Sequence, residues 1–123
     1  MAILWVGLGG FLGANARYLL GGFISNRWGT AFPYGTFVIN VTGSFILGFF
    51  LAYAEDRPFL EPGLRLMFAV GFLGAYTTFS TFEYESMRLI QEREFLYAML
   101  NLVGSVLTGA VAVFAGFAVG EWI

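Results

Sequence analysis

Charged residues are rare in this chain, and they lie between long apolar stretches. Uncharged runs cover residues 28–54, 66–82 and 95–120, and the first 26 residues contain one charge, Arg17. A helix needs about 20 mostly apolar residues to cross a bilayer. The runs therefore predict an all-α membrane protein with four transmembrane helices, in one domain of residues 1–123. The predicted spans are about residues 3–25, 34–54, 64–88 and 95–120.

The overall composition agrees with a membrane protein and excludes several functions. Charged residues make up 11% of the chain, whereas soluble domains carry about 25%. There is no histidine, cysteine or lysine, which removes zinc and iron–sulfur sites built on Cys or His. Without those residues only carboxylates could supply a nucleophile–base pair, so we do not expect an enzyme. The net charge of −2 argues against nucleic acid as a partner.

The first apolar segment is expected to stay attached as a membrane span. Ala14-Asn15-Ala16 resembles a signal-peptidase site. However, no Lys or Arg precedes the apolar segment, and the segment is rich in glycine, unlike a signal peptide.

The arginines favour neither membrane orientation. With the N-terminus inside, the inner connector holds Arg57 and Arg65, and the outer side holds Arg27, Arg88 and Arg93, with Arg17 inside the first span. The positive-inside rule needs a larger difference to fix the topology. One explanation is that chaperones or the acidic residues help to read a weak orientation signal. The other is that copies of the chain insert in both orientations. In the second case two antiparallel chains would form an inverted repeat.

Glycines recur inside the predicted spans at helical spacing. They include Gly9, Gly13, Gly43, Gly48, Gly104, Gly109, Gly116 and Gly120. Small residues four apart let helix backbones approach closely in lipid. Most of these glycines are therefore predicted to serve tight packing or dimerisation.

The third predicted span is unlike a helix that faces lipid. Four hydroxyl residues are crowded into five positions, Thr77, Thr78, Ser80 and Thr81. As a helix, the uncharged run is about 25 Å long, which is short of the hydrocarbon core. A break between Gly74 and Thr78 would free carbonyls to hold a hard cation such as sodium. The alternative is a continuous helix whose hydroxyls bond to its own carbonyls.

Phe79 and Phe82 lie three residues apart and therefore share one helix face. Plain packing would explain them. An aromatic ring edge, however, carries partial positive charge and can face an anion.

Polar residues form a stripe on each of two other spans. The second span carries Thr36, Asn40 and Ser44, and the fourth carries Asn101, Ser105 and Thr108. Hydrogen bonds between helices would explain both stripes. Together with the hydroxyls of the third span, they predict a narrow neutral track for a small anion. Arg17 would attract that anion or pair with a carboxylate such as Glu85.

These segments resemble the Fluc fluoride channels, also called CrcB. The matching segments are Gly-Ala-Asn-Ala-Arg-Tyr (13–18), Gly-Thr-Phe-Val-Ile-Asn-Val-Thr-Gly-Ser (35–44), Gly-Phe-Leu-Gly (71–74) and Thr-Thr-Phe-Ser-Thr-Phe (77–82). The resemblance extends over the whole chain in length, span number and motif order.

The resemblance implies passive export of fluoride across the inner cell membrane by an antiparallel, dual-topology homodimer with two pores. Phe79 and Phe82 would be the pore phenylalanines, and Asn40 the amide donor. The other implied pore residues are Ser80, Thr81, Asn101, Ser105, Thr108, Glu85 and Arg17. A structural sodium ion, which is not transported, would be held by the carbonyls of Gly74 and Thr77 from both subunits.

The chain departs from the family pattern at two places. Ala75-Tyr76 stands where a second glycine is usual, and Glu83 stands where serine is usual. Alanine disfavours positive φ, so we expect a break of different geometry. Because a negative charge would slow fluoride, Glu83 is expected to face away from the pore.

A small four-span multidrug/proton antiporter is the main alternative function. That chemistry needs a buried carboxylate in the first span, where this chain has Arg17 and no acid. A purely structural membrane protein is the other alternative, and it would not need the polar stripes.

Overall fold

The computed structural model describes residues 1–123 as helices joined by short turns, which confirms the all-α class. Helix α1 is Ala2–Trp28 and α2 is Tyr34–Glu55. Helix α3 covers residues 62–76 and comprises Pro62–Arg65, a π-helical stretch Leu66–Leu73, and Gly74–Tyr76. Helix α4 is Phe79–Gln91, and α5 is Phe95–Trp122 with a π-helical turn at Leu100–Gly104.

Three helices, α1, α2 and α5, are long and apolar enough to cross a membrane. Their 27, 22 and 28 residues exceed the roughly 20 that a bilayer requires. The chain is therefore a multi-pass membrane protein. The predicted third span, residues 64–88, falls across α3, α4 and the residues between them. Its passage through the bilayer stays a prediction, as do the bounds of the four-span domain.

Glycines bring α1 into backbone contact with α3. A methyl group added at Gly9 would overlap the Met67 carbonyl, and one at Gly13 would overlap the Phe72 carbonyl. The small side chains thus let the first helix lie directly on the π-helical stretch. The predicted packing role is confirmed for these glycines.

The same arrangement holds α2 against α5. Gly48 faces the Val113 carbonyl, and Gly116 faces the Phe45 carbonyl from the other helix. A methyl group at Gly104, by contrast, would have no neighbouring atom within 4 Å. The packing role is therefore confirmed for Gly48 and Gly116, whereas Gly104 makes no such contact within the chain.

An aromatic row runs along α3 towards its end. The Phe50 and Phe68 ring centroids are 4.7 Å apart, those of Phe68 and Phe72 are 5.7 Å apart, and those of Phe72 and Tyr76 are 5.8 Å apart. Tyr76 ends the row in a buried cluster with Leu73 and with α2 residue Ile39. This packing fixes the last turn of α3 against α2.

The turn between α2 and α3 is held by an arginine that binds backbone. Arg65 Nη2 donates to the carbonyls of Ala54 at 3.0 Å and Arg57 at 2.6 Å. Ala54 lies in the last turn of α2 and Arg57 lies in the turn that follows it, so one guanidinium group links the end of α2 to α3. The entry of α3 is therefore fixed relative to α2.

Candidate functional site

Two extended residues separate α3 from α4. Thr77 has φ −84° and ψ 157°, and Thr78 has φ −149° and ψ 120°. Positive φ occurs only at Gly29 and Arg93. Ala75 is helical, so the absence of a glycine there imposes no conformational penalty on this interruption.

The interruption redirects two backbone amides. In a continuous α-helix, the Thr78 amide would donate to the Gly74 carbonyl, and the Thr81 amide to the Thr77 carbonyl. Here the Thr78 amide donates to Asn40 Oδ1 at 2.8 Å, and the Thr81 amide donates to Thr78 Oγ1 at 3.3 Å. The Gly74 and Thr77 carbonyls therefore lose the donors that a continuous helix would give them.

Asn40 on α2 pairs with the Thr78 backbone through both ends of its amide. Its Nδ2 donates to the Thr78 carbonyl at 2.9 Å, while its Oδ1 accepts from the Thr78 amide at 2.8 Å. The side-chain nitrogen carries two hydrogens, so a second N–H remains after this pair. The two bonds fix the plane of the amide and hence the direction of that N–H.

Arg17 on α1 reaches the end of α3 from another side. Its Nε donates to the Ala75 carbonyl at 3.1 Å. Of the two roles predicted for Arg17, the ion pair with Glu85 is not formed. The salt bridge in this chain joins Arg88 and Glu92 at 2.9 Å. The long guanidinium side chain instead satisfies a carbonyl left without a helical donor.

A cleft of about 340 Å³ brings several of the predicted site residues together. The helices and the interruption contribute Asn40, Ser44, Gly74, Thr77, Phe79, Phe82 and Ser105. Its lining includes no charged side chain. The cleft therefore combines amide and hydroxyl groups with aromatic rings in a neutral environment.

The two phenylalanines differ in burial. The ring centroids of Phe79 and Phe82 are 6.0 Å apart, and the rings are inclined by 48°. Phe82 is 6% exposed and Phe79 is 71% exposed. Phe82 thus forms the inner wall of the cleft, while Phe79 stands at the surface of the chain.

A larger cleft of about 700 Å³ adjoins the first. It contains the predicted residues Arg17, Thr36, Thr81 and Glu85, together with Arg88. Thr78 lines both clefts. The two clefts therefore meet at the interruption, with charged groups on one side of Thr78 only.

Asn101 lies behind the smaller cleft rather than in its lining. It is 1% exposed, donates from Nδ2 to Ser86 Oγ at 2.9 Å, and accepts from Ser105 Oγ at 3.2 Å. Asn101 thus orients the hydroxyl of Ser105. Sequence reasoning missed Ser86, although its position four residues after Phe82 places it on the same face of α4.

Three further residues considered from the sequence line neither cleft. Ser80, Thr108 and Glu83 are exposed on the surface of the chain. Pore-lining roles for Ser80 and Thr108 stay predictions. Glu83 lies outside both clefts, as a residue facing away from the site would.

Comparison with known proteins finds a family and relatives that match almost the whole chain. The family model described as "CrcB-like protein, Camphor Resistance (CrcB)" matches residues 4–117. A relative from Acidobacterium capsulatum is 50% identical over 123 residues, covering 100% of this chain and 98% of the relative. One from Koribacter versatilis is 50% identical over 92% of this chain and 90% of its own length. One from Chloroflexus aurantiacus is 45% identical over 98% of this chain and 95% of its own length. Each relative is named "Fluoride-specific ion channel FluC".

Proposed function

This chain belongs to the CrcB family, and we propose that it is a fluoride-selective channel through which fluoride leaves the cell passively. The observation that carries the proposal is the neutral cleft in which Asn40, Phe79, Phe82 and Ser105 meet. Relatives named fluoride-specific channels, similar over almost the whole chain, support it. The function is transport rather than catalysis.

The chemistry of the cleft suits a small, strongly hydrated anion. Such an ion must exchange its water for protein donors, yet it must be held weakly enough to leave. The second N–H of Asn40 and the ring edges of the phenylalanines are neutral partners of this kind. Arg17 in the adjoining cleft would raise the local concentration of anions before they enter.

We propose that two copies pair antiparallel, with both orientations in the inner membrane and two pores per dimer. The nearly balanced arginines support insertion in both directions. The exposed Phe79 beside a polar cleft supports a covering partner, because polar groups are costly to leave facing lipid. A second copy would close the open side of each cleft.

We also propose that a structural sodium ion binds the Gly74 and Thr77 carbonyls of both copies. The residues fit this ion, because hard cations prefer oxygen ligands. In a continuous helix these carbonyls would accept from the Thr78 and Thr81 amides, which here donate to the side chains of Asn40 and Thr78. A bound cation would supply fixed positive charge between the two interruptions. The protein's own part is to hold the carbonyl groups in place through Asn40 and Thr78.

Sodium removal should lower the thermal stability of the purified protein. Replacing sodium with N-methyl-D-glucamine removes the ligand from the native state, so the melting temperature should fall as sodium falls through its binding range. Thermal unfolding in detergent across a sodium titration measures this, with potassium at equal ionic strength as the control. A melting temperature independent of sodium would refute the cation site, and equal stabilisation by potassium would refute its assignment to sodium.

Fluoride efflux from liposomes tests the function itself. Vesicles that contain the purified chain are loaded with potassium fluoride or potassium chloride, and a potassium ionophore starts the efflux. Fluoride and chloride electrodes then follow release. We expect rapid release of fluoride and little of chloride. Equal release of both ions would contradict selectivity, and no release of fluoride from folded protein would refute the proposed function.

Phe79→Ile should lower the fluoride efflux rate by about tenfold, which corresponds to about 1.4 kcal/mol of barrier. Isoleucine keeps the apolar volume but has no ring edge to face the anion. Phe114→Ile is the matched control, because Phe114 is also an exposed aromatic and lines neither cleft. Equal rates for the two variants would exclude a role for the Phe79 ring.

A further inference from the structure

Tyr76 is the last helical residue before the interruption, and its hydroxyl reaches α2. The side chain is 6% exposed, and its hydroxyl lies 2.9 Å from Thr42 Oγ1. A buried tyrosine hydroxyl normally needs a hydrogen-bond partner. Here that partner is two residues beyond Asn40 on the same helix.

Hydrogen bonds within α2 favour one direction for this contact. Thr42 Oγ1 donates to the Val38 carbonyl at 2.7 Å, with the Ile39 carbonyl at 3.2 Å. A hydroxyl has one hydrogen to donate, and the threonine uses it within its own helix. This arrangement is satisfied with Tyr76 as the donor and Thr42 as the acceptor.

Three consecutive residues, the last of α3 and the two of the interruption, thus contact one turn of α2. Tyr76 donates to Thr42, and Thr78 pairs with Asn40 through its amide and carbonyl. Between them, the Thr77 methyl group packs so closely on Gly43 that an added methyl group there would overlap it. Of these three contacts, only the Tyr76–Thr42 bond is made by a residue that is still helical.

We propose that Tyr76 and Thr42 are positioning residues for ion conduction. Their hydrogen bond holds the end of α3 in register with α2, so that the extended residues begin where Asn40 can pair with Thr78. Neither side chain lines a cleft, and both act through the residues that do. This inference rests on the proposed fluoride conduction.

The test removes each hydroxyl with little change of shape. Tyr76→Phe deletes the donor, and Thr42→Val deletes the acceptor while keeping a branched side chain. Loss of the bonds from Thr42 to its own helix is tolerable, because such back-bonds do not stabilise a helix. Thr42→Ser restores the hydroxyl. Tyr97→Phe is the control, because Tyr97 lines neither cleft and its hydroxyl has no side-chain hydrogen bond in the chain.

Fluoride efflux is measured per folded protein, after removal of aggregates by size-exclusion chromatography. Each single variant should lose about fivefold, which is typical of one hydrogen bond. The double variant should lose no more than either single variant, because both delete the same bond. Thr42→Ser and Tyr97→Phe should conduct like the wild type.

The other outcomes are equally informative. Wild-type efflux per folded protein in both single variants would reduce the pair to a structural contact and overturn the inference. Multiplied losses in the double variant would overturn it as well, because the two residues would then act independently. If one single variant does not fold, the fluoride efflux of the other single variant is compared with that of Thr42→Ser, and this comparison tests the inference. Absence of fluoride efflux from the wild type would instead refute the proposed function.

Discussion

Asn40→Asp is expected to reduce fluoride efflux by about 100-fold or more, equivalent to at least about 2.7 kcal/mol of barrier. The change keeps the size of the side chain and keeps an oxygen to accept the Thr78 amide. It replaces the nitrogen that donates to the Thr78 carbonyl at 2.9 Å with a second oxygen. An ionised aspartate would then face both a carbonyl and the passing anion, and two unit charges 4 Å apart repel by about 4 kcal/mol at an effective dielectric constant of 20.

Protonation would not rescue this variant. A protonated carboxyl group has one O–H to donate, and the Thr78 carbonyl requires it. No donor then remains for fluoride, whereas the amide of Asn40 keeps a second N–H. Loss of conduction is therefore expected in either protonation state.

The measurement is electrode-detected efflux from liposomes at equal amounts of folded protein. Asn26→Asp is the charge-matched control, because Asn26 is exposed at the end of α1 and lines neither cleft. It should conduct like the wild type. Wild-type efflux from Asn40→Asp would show that the amide does not contact the permeating ion.

The long helices could be predicted from the sequence because the bilayer imposes a simple rule on it. Charges are excluded from the hydrocarbon region, so uncharged runs mark the apolar helices. The span expected at residues 34–54 falls within Tyr34–Glu55, and the span expected at 95–120 falls within Phe95–Trp122. The positions of the charges along the chain were sufficient to locate these helices.

The interruption could not be decided from local sequence. Gly74 and the following hydroxyls are compatible with a break or with a continuous helix. The extended backbone at Thr78 is satisfied by Asn40, which lies 38 residues earlier in the chain. A contact between residues so far apart in sequence depends on how α2 packs on α3. The spacing of residues within one helix cannot predict it. The Tyr76–Thr42 bond was missed for the same reason.

Helical spacing alone did not predict where Asn101, Ser105 and Thr108 each lie within the chain. The spacing argument assumes 3.6 residues per turn, but Leu100–Gly104 is π-helical. A wider turn rotates the residues on either side of it relative to each other. Asn101 is bonded to Ser86 and Ser105 in the protein interior, Ser105 also lines the cleft, and Thr108 is exposed.

Gly116→Ala is expected to damage folding strongly, although it adds only one methyl group. The added carbon would lie 2.9 Å from the Phe45 carbonyl carbon and 3.0 Å from the Phe49 amide nitrogen. Both are backbone atoms of α2, so no side-chain rotation can relieve the overlap, and α5 must move away. We expect a loss of about 3 kcal/mol, at the upper end of the range for overpacked sites.

Gly104→Ala separates this steric effect from the general effect of alanine in a helix. Both glycines lie in α5, but an added methyl group at Gly104 meets no atom within 4 Å. Gly104→Ala should therefore keep or raise the melting temperature in detergent, while Gly116→Ala should lower it by several degrees or more. Because α5 also carries Ser105 into the cleft, the folded fraction of Gly116→Ala should lose fluoride efflux as well. Equal melting temperatures for the two variants would show that α2 and α5 are not held in backbone contact at Gly116.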